Sequence, residues 1–360
     1  MNNWPAGGAG EMLKLVAALP DQMRGSARLE GLPEVQPVPG LRRAVLCGMG
    51  GSAIAGDLVQ PLLESGPASL QVWRDYGLPH WIGTADLVIA ASYSGNTEET
   101  LTGYAAATAR GCPRLAITSG GELLTRARAD GVPAIVLPGG LPPRASLGWG
   151  LGALARALGR LGLAANAPYA VEAAATVLAR ADAARCRPWG DAVATAPAQD
   201  PDGNPPVADL ARELAGRVPV IYTCGGESHA AGLRLRAQLN ENSKVPALLA
   251  AFPELDHNDL VGWCLDPGDR ERFVLLVLRA ADEHPRTSLR VRLTLELLAG
   301  QFAGVFELRG GGGDALARVM SLVQYGDYLS CHLAGLAQVD PVPVERIVKL
   351  KDALARAQNP

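Results

Sequence analysis

What this sequence has little of narrows its chemistry first. Six cysteines are scattered through 360 residues, with no C-x-x-C pair and no histidine near them at metal-ligand spacing. A structural zinc site or a disulfide framework is therefore not expected. Basic charge is not in excess, 33 Lys and Arg against 36 Asp and Glu for a net charge of -3. That balance gives no global positive field to draw nucleic acid or an anionic membrane, so any phosphate binding must be local. Long apolar runs are missing too, and no transmembrane helix is expected. The N-terminal stretch MNNWPAGGAGEMLKLVAALP shows no basic residues ahead of its short apolar patch, unlike a secretion signal, and the cytoplasm is the expected compartment.

What is present is an ordinary globular composition, 48% hydrophobic and 19% charged, in a chain long enough for two domains. RAVLC (43–47) runs into GMGGSAIAGD and then a helical spacing of Ile54, Leu58, Leu62 and Leu63. LVIAA (87–91) runs into SYSGNTEETL, and RLAITSGGELL and PAIVLPGG follow. Strands alternating with helices imply a parallel sheet flanked by helices. Residues 151–185, rich in Ala and Leu, read as helical. A Pro- and Gly-rich stretch at 186–205 reads as a linker. The rhythm restarts in VPVIYTCGGESHAAGLRLRAQL, continues through PALLAAFPEL and RFVLLVLRA, and ends with GVFELRGGGGDALARVMSLVQYGDYLSCHLAGL. The expected fold is α/β, two domains at 1–185 and 206–360, each a doubly wound, mainly parallel sheet flanked by helices. The four glycines at 310–313 read as a flexible loop ahead of a helix over 314–336.

Gly48-Met49-Gly50-Gly51-Ser52-Ala53 satisfies the dinucleotide pattern G-x-G-x-x-G/A after a strand. A nicotinamide-binding reading needs an acidic residue at the end of the second strand, for which Asp75 is the candidate; the alternative is a tight turn in which glycine supplies positive φ. Ser92, Ser94 and Thr97 crowd the tip of a predicted parallel strand beside Gly95. Hydroxyls and backbone N–H groups there, at a helix N-terminus, suit a phosphomonoester. The competing reading is a helix cap, with Glu98 or Glu99 favouring the dipole.

GMGGSAIAGD followed by SYSGNTEETL resembles the sugar isomerase (SIS) domain. QLNENSKVPA (238–247), FPELDHNDLVGW (252–263) and DPVPVERIVKLKDAL (340–354) extend the resemblance to the bifunctional phosphoglucose/phosphomannose isomerase family over most of the chain. It implies tandem SIS domains, a homodimer whose active sites are shared between subunits, hexose 6-phosphate substrates, and no metal or organic cofactor. The implied activity interconverts glucose 6-phosphate, and mannose 6-phosphate, with fructose 6-phosphate through a cis-enediol.

The resemblance also implies roles for single residues. Gly51, Ser52, Ser92, Ser94 and Thr97 hold the phosphate. Glu241 carries the proton between the two reacting carbons, as one carboxylate within reach of both can do. His257 opens the ring from the partner subunit, Lys351 assists, and Arg144 faces the enediolate oxygens. Each has a plainer reading beside it. Glu241 could be a surface glutamate paired with Lys244 at i+3, and His257 a loop histidine oriented by Asp256 or Asp259. Arg144 could be a surface arginine and Lys351 a solvated helix lysine. Lys349, two positions away, cannot share a helix face with Lys351. The second half has CGGESHAAG where the first has GMGGSAIAG and no S-x-S-G-x-T, so one phosphate pocket per chain is expected. The alternative function is a non-catalytic SIS module that binds a sugar phosphate.

Overall fold

The apolar runs that precede the glycine turns are strands, and their side chains alternate between two faces that are both covered. The computed structural model describes residues 8–64, 66, 68–186 and 199–357. Among these, the strands are β1 (Arg43–Gly48), β2 (Ser69–Trp73), β3 (Leu87–Ser92), β4 (Arg114–Thr118), β5 (Ala134–Val136), β6 (Val218–Thr223), β7 (Leu248–Ala251), β8 (Phe273–Arg279) and β9 (Gly304–Arg309). The helices are α1 (Gly8–Ala17), α2 (Leu19–Gly25), α3 (Gly50–Leu58), α4 (Glu98–Ala109), α5 (Gly121–Ala129), α6 (Leu147–Arg160), α7 (Ala167–Arg185), α8 (Val207–Leu214), α9 (Gly226–Gln238), α10 (Pro267–Arg270), α11 (Pro285–Leu297), α12 (Ala315–Leu336) and α13 (Glu345–Arg356).

Both sheets are parallel. The first has the order β2-β1-β3-β4-β5 and the second β7-β6-β8-β9, so the first four strands of one half and the four of the other follow the same path. In β1, Leu46 packs into the large central core while Val45 and Cys47 face a separate cluster with Leu78, Ile82 and Val88. In β6, Ile221 joins the central core, and Val220 and Tyr222 pack with Phe252 and Leu255 on the other face. This is the period-2 alternation of a sheet covered on both sides.

Helix α12 is buried along almost its whole length, because α7, α8, α9 and α1 all pack around it. Its apolar residues are enclosed by these neighbours, and its buried polar ones, such as Asp327 with Arg234, are paired. The expected helical stretch at 151–185 corresponds to the end of α6 and to α7.

Part of the tetraglycine runs close against its neighbours. A Cβ at Gly310 would lie 2.0 Å from the Arg318 carbonyl oxygen, and Gly312 has φ +117°. These glycines let the backbone pass tightly into α12, which Asp314 caps by accepting from the Ala317 N–H at 2.9 Å. Of the expected linker, 187–198 lie outside the described residues. The part that follows is packed: Asp200 pairs with the buried Arg185 at 2.9 Å, and Asn204 exchanges hydrogen bonds with the Arg309 backbone at 2.9 and 2.8 Å.

Candidate active site

In the first sheet the strand order reverses between β1 and β3, and ligand crevices in such sheets open beyond the carboxyl ends at that switch point. Gly48 pairs with Ala91, so the glycine turn and the serine loop leave the sheet side by side. Gly50 has φ +50°, and the Ser52 and Ala53 N–H groups close the turn on the Met49 carbonyl at 3.1 and 3.3 Å. A Cβ on Gly51 would lie 3.1 Å from the Pro143 carbonyl oxygen. The glycine turn therefore backs directly onto the loop that carries Arg144.

In the serine loop, Ser92 is buried at the end of β3 and its hydroxyl lies 2.8 Å from that of Thr97. Thr97 occupies the N-cap position of α4 but makes no side-chain cap bond. The capping reading thus loses its main element, since the hydroxyls converge on each other rather than on the helix N–H groups. Ser94 is exposed, its hydroxyl accepting from the Asn96 N–H at 3.3 Å. Gly95 has φ +72°, and a Cβ there would sit 1.8 Å from the Gly120 carbonyl oxygen, so only glycine fits. The loop after β4 clamps this one: Ser119 N–H donates to the Tyr93 carbonyl at 3.0 Å and Leu123 N–H to the Gly95 carbonyl at 2.9 Å. Tyr93 OH donates to the Pro138 carbonyl at 2.8 Å and accepts from Leu141 N–H at 3.0 Å, which fixes the 138–143 loop against the serine loop.

Arg144 lies in a single 3-10 turn, Pro143–Ala145, and is 5% exposed. It is not a surface arginine. Its Nε donates to Asn242 Oδ1 at 2.7 Å; Nη2 donates to the Pro341 carbonyl and, at 3.0 Å, to the Val342 carbonyl. Only Nη1 turns toward Glu241, whose carboxylate stands 3.5 Å away. Burial draws the guanidinium below its ordinary range, with Glu241 opposing that pull, and a guanidinium remains cationic throughout.

Glu241 projects from a π-helical turn, Leu239–Ser243, that extends α9. Such turns are uncommon and gather at functional sites. The turn closes on Lys244, whose left-handed backbone (φ 59°) lets its N–H reach the Leu239 carbonyl. The i+3 ion pair does not form. Lys244 Nζ instead donates to the carbonyls of Glu241 and, at 2.7 Å, Pro343. Burial, and then Arg144 nearby, lower the affinity of that amine for its proton. Arg144 and Lys244 thus fasten the strap Asp340–Val344 to the turn bearing Glu241.

The strap leads into α13, and there Lys351 lines a cleft of about 830 Å³ whose other wall includes Asn96 and Thr97. Lys349 is not among the residues of that cleft. His257 is not brought to this group. It ends the 3-10 turn Glu254–His257, is exposed, and is anchored through Leu255 in the core on the sheet face opposite α9. Asp256 is not its orienting partner, because that carboxylate accepts from Arg290 at 2.8 Å and from Thr294 at 2.9 Å. Asp75 is exposed, with Oδ1 taken by the Tyr76 N–H at 2.7 Å. Among the described residues no cluster of three His, Cys, Asp or Glu side chains is placed to hold a metal ion.

The second sheet answers why it lacks a like cradle. Its counterpart of the serine loop follows β8, and Glu283 from that loop points inward. Its carboxylate accepts from Arg279 and from Ser288, the latter at 2.7 Å. Burial raises its proton affinity, yet Arg279 and Ser288 outweigh that and hold it below the ordinary carboxylate range. An internal anion therefore sits where the first half presents hydroxyls.

Motif reading found Glu241 and Arg144 but not Asn242, Lys244, Tyr93 or the strap carbonyls. Asn242 directly follows Glu241 in the ENS motif and is fully buried; Arg144 reaches Asn242, Pro341 and Val342 across 98 to 198 positions, and Tyr93 reaches Pro138 and Leu141 across 45 and 48, which no local pattern reveals.

Comparison with known proteins bears on this geometry. A family profile described as the bacterial phospho-glucose isomerase C-terminal SIS domain matches residues 204–354. The bifunctional phosphoglucose/phosphomannose isomerase of Caldicellulosiruptor bescii is 35% identical over 350 residues, covering 97% of this chain and 100% of that protein. The enzyme of the same name from Aquifex aeolicus is 35% identical over 87% of this chain and 90% of its own length. Among solved structures, a hypothetical protein from Thermus thermophilus superposes with a TM-score of 0.69 at 19% identity, over 96% of this chain and 90% of that one.

Proposed function

The chain belongs to the bifunctional phosphoglucose/phosphomannose isomerase family, and from that premise we propose how its residues carry out an aldose–ketose isomerisation. Glucose 6-phosphate and mannose 6-phosphate are interconverted with fructose 6-phosphate. Gly51, Ser52, Ser92, Ser94 and Thr97 hold the phosphate at the N-terminus of α4, where the helix dipole favours an anion. The observation that carries the reading is the pairing of Glu241 with the single free edge of Arg144 at 3.5 Å.

With the ring open, the Glu241 carboxylate takes the proton from C2 of the aldose. The C–H electron pair becomes the C1=C2 bond, and the C1 carbonyl oxygen receives the charge. Arg144 Nη1, already oriented, meets that oxygen without reorganisation, the usual route by which fixed cations stabilise developing charge. A proton passes from the C2 hydroxyl to O1, and Glu241 returns its proton to C1, leaving the ketose. The same face of one carboxylate serves both carbons.

Ring opening is assigned to His257 and Lys351. Histidine titrates near neutrality and suits that proton transfer. His257 is supplied by a second copy, since its loop is exposed and anchored on the far face of its own sheet. The uncovered apolar residues of α13, including Leu350 and Leu354, agree with a homodimer. The domains divide at 1–185 and 206–360 with 186–205 between them. The buried thiols Cys47, Cys112, Cys224 and Cys331, without disulfides, suit the reducing cytoplasm. No described helix is long and apolar enough to cross a membrane.

A non-catalytic sugar-phosphate sensor would need the serine loop but not a glutamate faced by a buried arginine. The test is a coupled assay of fructose 6-phosphate formed from each hexose 6-phosphate separately. Turnover of at least one is expected; no product from either contradicts the assignment.

A further inference from the structure

The residues around Arg144 form a closed ring of hydrogen bonds that returns to one helix. Arg234, on α9, pairs with Asp327 of α12 at 2.7 Å and also donates to the Arg144 backbone carbonyl at 2.9 Å. From the side chain of Arg144 the path runs on: Nε to Asn242 Oδ1 at 2.7 Å, Asn242 Nδ2 to Ser330 Oγ at 2.9 Å, and Ser330 Oγ to the Asp327 carbonyl at 2.8 Å. Ser243 Oγ adds a bond to the Ser330 carbonyl at 2.8 Å. Arg144 is thus gripped twice from α12, through its backbone by Arg234 and through its guanidinium by Asn242.

Rotation is the degree of freedom that matters here. A guanidinium is a planar fork with five N–H groups. If Nε were released, the plane could turn, and the stronger ion pair with Glu241 would compete with the contact to a substrate oxygen. Asn242 prevents this. It is fully buried, it accepts from Nε at 2.7 Å, and Ser330 fixes which way its amide faces. With Nε on Asn242 and Nη2 on the strap, Nη1 is the only edge left for the reacting oxygens.

We propose that Asn242 is a positioning residue for the isomerisation, braced by Ser330, which sets the guanidinium of Arg144 so that it recognises the enediolate more strongly than the ground-state sugar. It acts through Arg144 and touches no substrate. The inference rests on the assignment of Glu241 and Arg144 to proton transfer and charge stabilisation.

The experiment compares two ligands on each protein: a phosphorylated hydroxamate that mimics the enediolate, and a phosphorylated hexitol that has the chain and phosphate but no carbonyl. Interactions made only in the transition state separate the two. The wild type should prefer the hydroxamate; without that preference the isomerase assignment itself falls. Asn242→Ala should weaken hydroxamate binding about 10- to 100-fold and lower kcat by a similar factor, leaving hexitol affinity and KM within about 3-fold. Ser330→Ala, farther from the site, should lose less in the same direction and keeps the test open if Asn242→Ala does not fold. Equal loss for both ligands, or a lower melting temperature with the hydroxamate preference intact in both variants, would overturn the proposal.

Discussion

The Arg144 guanidinium faces the Glu241 carboxylate at 3.5 Å while spending its shorter bonds on Asn242 and the strap. That contact is longer than a charge-assisted hydrogen bond of about 2.8 Å, and the Glu241 side chain keeps 31% of its surface exposed. The carboxylate is neighboured by a cation without being locked to it. A base and an electrostatic partner must stand close enough to act on the same substrate atoms, yet remain unneutralised by one another.

Replacing Arg144 with lysine keeps the charge but loses the fork, including the bond to Asn242. Steady-state kinetics of Arg144→Lys should show kcat lower by about 100- to 1,000-fold, the range for removing one fixed donor to a developing oxyanion. KM should change little, because the proposed phosphate site is the serine loop and not Arg144. Unchanged kcat would remove Arg144 from the reaction.

Ser92 and Thr97 share a hydroxyl contact of 2.8 Å, so removing both clears the centre of the loop. The double variant Ser92→Ala, Thr97→Ala should raise KM for hexose 6-phosphate and also lower kcat, since binding energy from a remote phosphate helps place the reacting carbons. An unaltered KM would return this loop to a purely structural role.

Sharing of the site between subunits has a direct complementation test. Glu241→Gln and His257→Ala should each be nearly inactive alone. Co-expressed in equal amounts, they should assemble hybrid dimers holding one intact site, recovering roughly a quarter of wild-type activity under two-fold symmetry. No recovery would place His257 and Glu241 of one chain in the same site, and full activity of His257→Ala alone would remove His257 from the chemistry.

Glu283 gives a pH-dependent stability term. Its proton affinity is held below the ordinary range in the fold, so its contribution is present above the unfolded pKa of about 4.3 and is lost as pH falls through the folded value. Glu283→Gln should destabilise by about 1–3 kcal/mol near neutrality, and the gap to wild type should shrink in acid. Denaturant unfolding at several pH values measures this. A gap independent of pH would mean that charge plays no part.

The strands and glycine turns were legible because their signals are local: an apolar run, then glycine, then helical spacing. The serine loop and ENSK were legible as motifs, through resemblance. What joins them was not. Arg144 meets Asn242 across 98 positions of chain, and Lys244, the partner in the plainer reading of Glu241, holds a strap carbonyl at Pro343. The close approach at the tetraglycine was hidden for a related reason. Glycine signals flexibility and close approach alike, and only the surroundings of Gly310 and Gly312 show that close approach prevails.

The central claim is that Glu241 carries the proton between the two carbons. It is tested most directly by isomerising fructose 6-phosphate in deuterium oxide and following the label by NMR. The wild type should form aldose carrying deuterium at C2, because the protonated carboxylate exchanges with solvent during some turnovers. Glu241→Gln should lose turnover by about 100- to 10,000-fold, the range for general base catalysis, and should incorporate no label at C1 of the remaining ketose. Turnover and labelling at the wild-type rate in that variant would contradict the account.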